Sequence, residues 1–311
     1  MIDTIRLPSL VRRPSERFRV LTTVAALAAP IVVVAIVIVL AEQALPAVTR
    51  FGPRFLLTQN WNPVALDFGA LPFLVGTLAT SAIALVLALP VGVAAAVVLA
   101  EPGLERLRAA IGTGVELLAA IPSVVYGIWA LYVMAPFVYA HIEVPLNERL
   151  GFVGLFSGQP RQTSLLAASL VLAIMILPTL AAISRDVLKA VPAGLRESSI
   201  ALGATWWETN WKVILPAGRA GIFGATILAL GRALGETIAV TMVIGNRPDV
   251  PQSLFAPAYT LASVIANEFA EATGPVYPAA LVELGLVLIL VTFIVNLLAL
   301  LLVRRSVERA R

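Results

Sequence analysis

Six stretches of this 311-residue chain are apolar for long enough to cross a lipid bilayer, and no other feature narrows its fold so far. Inside hydrocarbon every backbone N–H and C=O has to be satisfied by the protein itself, which leaves helices or a closed barrel. A helix needs about 20 residues to cross a core of about 30 Å, whereas a barrel strand needs only about 10. Stretches of this length therefore predict an all-α integral membrane protein with six transmembrane helices. With 59% hydrophobic and 13% charged residues the composition agrees, and so does a mean hydropathy of +0.95. The absence of cysteine excludes disulfide and thiol chemistry. The single histidine, His141, argues against a histidine metal site. A net charge of +4 gathered at membrane boundaries is no nucleic-acid signal.

The spans are expected at Val20–Ala41, Leu71–Ala100, Ala109–Ala140, Ser164–Ser184, Gly221–Ile244 and Ala279–Val303. The third is read as broken at Ile121-Pro122-Ser123, where proline removes a backbone donor. Between the first two, residues 42–70 read as an ordered loop with Trp61 as an interfacial anchor. A short helix is expected over Tyr259–Ala272. With the N-terminus inside, sixteen Lys and Arg fall on the cytoplasmic side and five, Arg50, Arg54, Arg149, Arg161 and Arg247, on the other. That bias places both termini and the loop of residues 191–219 in the cytoplasm.

This loop is polar, rich in tryptophan, and reads as two short helices joined at Gly203. Pro192 suits a helix start, and Gly203 stands where a left-handed residue ends one. Thr205-Trp206-Trp207-Glu208 has the pattern of a capping box, so a second helix begins there. Pro216 is expected to stop it. Trp207 and Trp211 share a face, and bulky apolar side chains outside the bilayer call for a partner surface.

Two charges lie within the fifth span. Arg232 sits near its middle, and Glu236 is expected one turn further along the same face. Gly224, Gly231 and Gly235 are expected to let a neighbouring helix or ligand approach closely. Charges at that depth cost several kcal/mol unless they meet a partner or a wet cavity. Guanidinium suits phosphate or carboxylate oxygens, and a carboxylate beside it can accept the OH of hydrogen phosphate, which ionised sulfate lacks. A self-neutralising pair buried for packing is the alternative. Ser123, with Tyr126 a turn later, is a further candidate for lining a path; a serine bonded to its own helix carbonyl is the other reading. Glu116 and Glu283 lie near span ends, where water or a helix partner accounts for them. Thr77 and Ser81 read as interhelical hydrogen bonds.

The order Glu197, Gly203, Ile214-Leu215-Pro216 resembles the EAA coupling loop of ABC-importer permeases, with Ser198 and Ser199 in place of its two alanines. The run Gly231-Arg-Ala-Leu-Gly-Glu-Thr-Ile-Ala-Val-Thr-Met-Val-Ile-Gly-Asn246 resembles the Pst phosphate-transport permeases, and the PstC type more than the PstA type. Trp61-Asn-Pro, Phe68-Gly-Ala-Leu-Pro-Phe-Leu-Val-Gly-Thr77 and Ile121-Pro-Ser-Val-Val-Tyr-Gly127 are similar to PstC segments too. The resemblance implies a type I ABC importer permease fold in the bacterial inner membrane. It implies an ABC transporter type-1 domain at 71–303 after a first helix and periplasmic loop at 20–70, with cytoplasmic tails at 1–19 and 304–311.

It further implies a PstA-type partner, a PstB-type ATPase dimer, a periplasmic phosphate-binding protein and inorganic phosphate as cargo. By the same resemblance Arg232 and Glu236 serve phosphate passage, while Glu197, Gly203, Trp207 and Pro216 serve ATPase coupling. No G-x-x-x-x-G-K-[ST] occurs, so ATP and Mg are expected on the partner and no cofactor on this chain. Open alternatives are a permease for a related oxyanion, a secondary anion transporter or channel, and a membrane anchor for an enzyme complex.

Overall fold

The computed structural model describes residues 16–308 apart from 102 and 104. Most of the expected N-terminal tail and the last three residues of the C-terminal one therefore lie outside the described residues. Six helices are long and apolar enough to cross a membrane.

Helix α1, Glu16–Phe51, continues ten residues beyond the expected end of the first span. Pro46 does not break it, and Ala44 and Ala47 in the extension are fully buried. A hairpin of β1 (Trp61–Asn62) and β2 (Asp67–Phe68) follows. Its turn is held by Asn62, whose Oδ1 accepts from the amides of Val64 and Ala65, both at 3.0 Å. Helix α2, Leu71–Ala100, has the expected bounds.

The third span differs from expectation. Helix α3, Glu105–Ala120, buries no residue and ends before Pro122. The membrane-crossing helix is α4, Ser123–Leu150, which runs through much of the expected loop of residues 141–163. Tyr126 ties the two, its hydroxyl donating to the Leu118 carbonyl at 2.8 Å.

Helix α5, Leu165–Lys189, is capped by Ser164. It is the most enclosed span, packing along α2, and its Val171, Leu172, Ile176 and Leu180 centre the main core. Helix α6, Ala193–Ala201, opens the loop of residues 191–219. Helix α7, Trp206–Leu234, and the short α8, Ile238–Val243, complete the fifth crossing. Helix α9, Leu261–Glu268, falls inside the expected segment, and α10, Val276–Glu308, packs on α1, α7 and α9.

Three π-helical segments punctuate these spans: Ala130–Met134 and Tyr139–Glu143 in α4, and Asn210–Ile214 in α7. Each is followed two residues later by a proline, Pro136, Pro145 and Pro216 respectively. Proline has no amide to donate, and its ring presses on the carbonyl four residues back. A wider turn just before it moves that carbonyl aside, so these helices continue where an α-helix would break.

A second core closes the expected periplasmic end. Trp61 packs edge-on to Phe68 and Phe73 with ring centroids 4.8 Å away in each case. Its indole donates to Glu268 Oε2 at 2.7 Å, and the Tyr277 hydroxyl donates to the same oxygen at 2.7 Å. Trp61 is thus part of an internal aromatic cluster rather than a lipid anchor. Thr77 Oγ1 accepts from the Leu261 amide at 2.9 Å, joining α2 to the start of α9.

Candidate functional site

Arg232 lies in the last turn of α7, and the helix ends at Leu234. Gly235 and Glu236 are not helical, so Arg232 and Glu236 stand on opposite sides of a break instead of one turn apart on one face. A glycine followed by a carboxylate that competes for backbone donors explains the interruption. Glu236 Oε1 accepts from the Ala239 amide at 3.4 Å, in the first turn of α8. None of the ion pairs among the described residues joins Arg232 to Glu236. The self-neutralising pair is therefore not formed.

Arg232 is exposed, and so is Leu228 one turn earlier on the same face. Tyr126, whose hydroxyl donates to the Leu118 carbonyl, lies in the first turn of α4. Ser123, half-buried, begins that helix, and Pro122 is its cap. Among the described residues Ser123 makes no hydrogen bond to its own helix through its side chain, which removes the alternative reading offered for it.

The close approach expected along the glycines of α7 is only partly present. Gly231 faces Asn296 of α10, whose Nδ2 would lie 3.6 Å from a Cβ added at the glycine. Gly224 has no neighbour within 4 Å of such an atom, and Gly235 meets only the Gly231 carbonyl at 3.8 Å. The tight contacts are elsewhere, at Gly221 against Val187 and at Gly127 against Met242. Asn296 itself, with its Oδ1 buried and unpartnered, is a residue beside Gly231 that sequence reasoning missed. An amide alone in an otherwise apolar span is the signal that marks it. Glu283 is buried rather than open to water, with Oε2 unpartnered.

In the loop of residues 191–219, α6 ends in a Schellman arrangement. The Ala204 amide reaches the Ser199 carbonyl at 3.2 Å, the Gly203 amide reaches Ile200 at 2.9 Å, and Gly203 has φ +85°. The capping box at Thr205 and Glu208 is present in both directions. Pro216 does not stop the second helix, because the π segment before it carries the chain onward into the membrane span. Trp207 and Trp211 stack with centroids 5.7 Å apart and planes within 9°, and each is over 60% exposed. Glu197, Gly203 and Pro216 are exposed as well. Beside the tryptophans an apolar groove of about 470 Å³ runs along Pro90, Val93, Ala94 and Val97 of α2.

The six membrane-length helices, with the loop of residues 191–219 running unbroken into one of them, make the fold of a membrane-embedded transport component. Inward-facing structures of the MetNI methionine ABC transporter share it, with a TM-score of 0.55 at 19% identity over 75% of this chain and 95% of that one. Residues 88–308 match the family described as binding-protein-dependent transport system inner membrane component. The phosphate transport system permease protein PstC of Mesorhizobium japonicum is 48% identical over 81% of this chain and 79% of its own. That of Pasteurella multocida is 49% identical over 83% and 81%, and the probable PstC of Methanocaldococcus jannaschii 34% over 98% of both. The chain belongs to the PstC-type permeases of this family.

Proposed function

We infer that this protein is the permease subunit of an ATP-driven phosphate importer and forms part of the path by which inorganic phosphate crosses the membrane. The relatives' names support phosphate as cargo. One observation in this chain carries the reading: a guanidinium in the last turn of the fifth membrane-length helix, exposed and without an ion-pair partner among the described residues. Such a charge requires something beyond this chain to face. A second membrane subunit, of PstA type, would enclose it, and an anion would then meet it in a path between the two subunits.

Arg232 offers phosphate two parallel donors, while Glu236, with one oxygen engaged by Ala239, keeps the other for the OH of hydrogen phosphate. Ser123, at the start of α4, is a minor member of the proposed lining. Energy enters through the loop of residues 191–219. Trp207 and Glu197 meet a PstB-type ATPase dimer there, Gly203 sets the angle between the two helices, and the helix through Pro216 carries the motion inward. ATP and Mg are held by that partner, and a periplasmic binding protein delivers phosphate. The subunit lies in the inner membrane with both termini cytoplasmic, on the bias of its basic residues. The domain limits proposed are those given above, 71–303 for the transport domain after the first helix and loop at 20–70.

The test is to reconstitute the chain with its PstA-type, PstB-type and binding-protein partners in vesicles, then to measure phosphate uptake and ATP hydrolysis together. Hydrolysis stimulated by phosphate and not by sulfate is expected. Uptake that persists without any ATPase would instead favour a secondary transporter.

A further inference from the structure

Glu101, the first residue after α2, is only 5% exposed although it carries a charge. Its Oε2 accepts from Arg196 Nη1 at 2.6 Å and from Asn210 Nδ2 at 3.2 Å. Arg196 Nη2 reaches Asn210 Oδ1 at 3.5 Å, and Asn210 Nδ2 also donates to the Trp206 carbonyl at 3.0 Å. Asn210 is 4% exposed. These three side chains come from three places: the cytoplasmic end of α2, the middle of α6, and the start of the π segment in α7. A second contact, Ser199 to Thr209 at 3.0 Å between hydroxyls, lies beside them.

The node matters because α6 has little else to hold it. It buries none of its residues, so apolar packing does not fix its position. An exposed ion pair would fix it poorly, since water competes for both partners. This pair is out of water, with side-chain exposures of 17% and 6%, and separating it strands a charge.

We propose that Glu101, Arg196 and Asn210 form the rigid link through which a displacement of the cytoplasmic loop reaches α2. They are positioning residues, remote from the phosphate path. The span they would move is the one packed along α5, so motion delivered to α2 enters the centre of the bundle. Sequence spacing gives no sign of the link, because Glu101 lies far from both partners along the chain. The proposal rests on the reading that the loop docks an ATPase.

Glu101→Gln tests it, because a buried side chain cannot touch the ATPase directly; Asn210→Ala is the second variant. Complexes assembled with the ATPase are reconstituted in vesicles, and phosphate moved per ATP hydrolysed is read on assembled complex only. In both variants the ATPase is expected to co-purify and keep hydrolysing while that ratio falls at least tenfold. Exchanging the pair, Glu101→Arg with Arg196→Glu, should recover part of the loss. A merely structural staple would lower the yield of complex yet leave the ratio at its wild-type value, and that result overturns the link. A wild-type complex that shows no phosphate-coupled hydrolysis would remove the underlying reading and the link with it. A coupled wild type beside an equally coupled Glu101→Gln removes the link alone.

Discussion

Gly203 offers the sharpest test of the docking loop, because its environment separates backbone strain from steric clash. The residue sits at φ +85°, and a Cβ built on it would meet nothing within 4 Å. Any cost of substitution there comes from the left-handed conformation alone. For an ordinary L-residue that conformation costs about 1–2 kcal/mol. A β-branched side chain belongs at or above the upper end, within the range of about 1–3 kcal/mol for sparsely populated backbone regions. Asparagine, which visits this region several-fold more often, should cost less.

The docked loop has to keep the turn, whereas a free loop relaxes out of it, so the strain appears as lost affinity for the ATPase. At 1.4 kcal/mol per tenfold, Gly203→Val should weaken docking by about 25- to 150-fold. Gly203→Asn should stay within about fivefold of wild type. ATPase binding to purified permease complex, titrated in detergent with membrane insertion checked alongside, gives the three constants. Equal affinities for glycine and valine would refute the argument, since no other contact at this position can compensate.

Arg232→Gln should nearly abolish phosphate uptake in vesicles with assembly intact, and Arg232→Lys should restore only part of it, because lysine keeps the charge without the fork; wild-type uptake by the glutamine variant would sink the proposed site. Glu236→Gln should leave assembly unchanged, since no ion pair with Arg232 exists to be broken, while selectivity for phosphate over sulfate falls. Gly127→Ala places a methyl group 2.5 Å from Met242 Sδ and 3.1 Å from the Ala239 Cα, so overpacking of about 1–3 kcal/mol should lower the thermal midpoint in detergent. For topology, the chain has no cysteine of its own. A cysteine at Val64, 96% exposed in the hairpin turn, should react with an impermeant reagent outside sealed cells, and one at Leu202, 89% exposed in the loop, should not; the reverse pattern would invert the proposed orientation.

What the sequence disclosed was mostly local. The capping box at Thr205, the end of α6 at Gly203 and the whole of α2 depend on residues within one or two turns, and each is legible from spacing. One proline misled. Pro216 was weighed as a helix breaker, but a π turn ahead of it absorbs the missing donor, and nothing in the composition of Asn210–Ile214 announces a wider turn. At Ile121-Pro122 the same residue type does end a helix, with no π segment before it. The fifth span was read as continuous through Gly235, since glycine is common in membrane helices; only the backbone shows the break. Asn296 beside Gly231, and the meeting of Glu101 with Arg196, depend on how helices distant in sequence come together, which periodicity does not encode.

The break at Gly235 and the absence of one at Pro216 have a joint mechanical meaning. From Trp206 to Leu234 the chain is a single rod of 29 residues, about 43 Å at about 1.5 Å each. The tryptophan stack occupies one end and Arg232 the other, with no joint between them. The first joint lies just past Arg232, and Glu236 is on its far side, attached to α8 and through it to α4 and α5. On the function proposed above, turning the rod by its tryptophan end would swing the cation like a crank while the carboxylate stays with its post. The spacing of opposite charges would then be a variable that a grip on two indole rings sets.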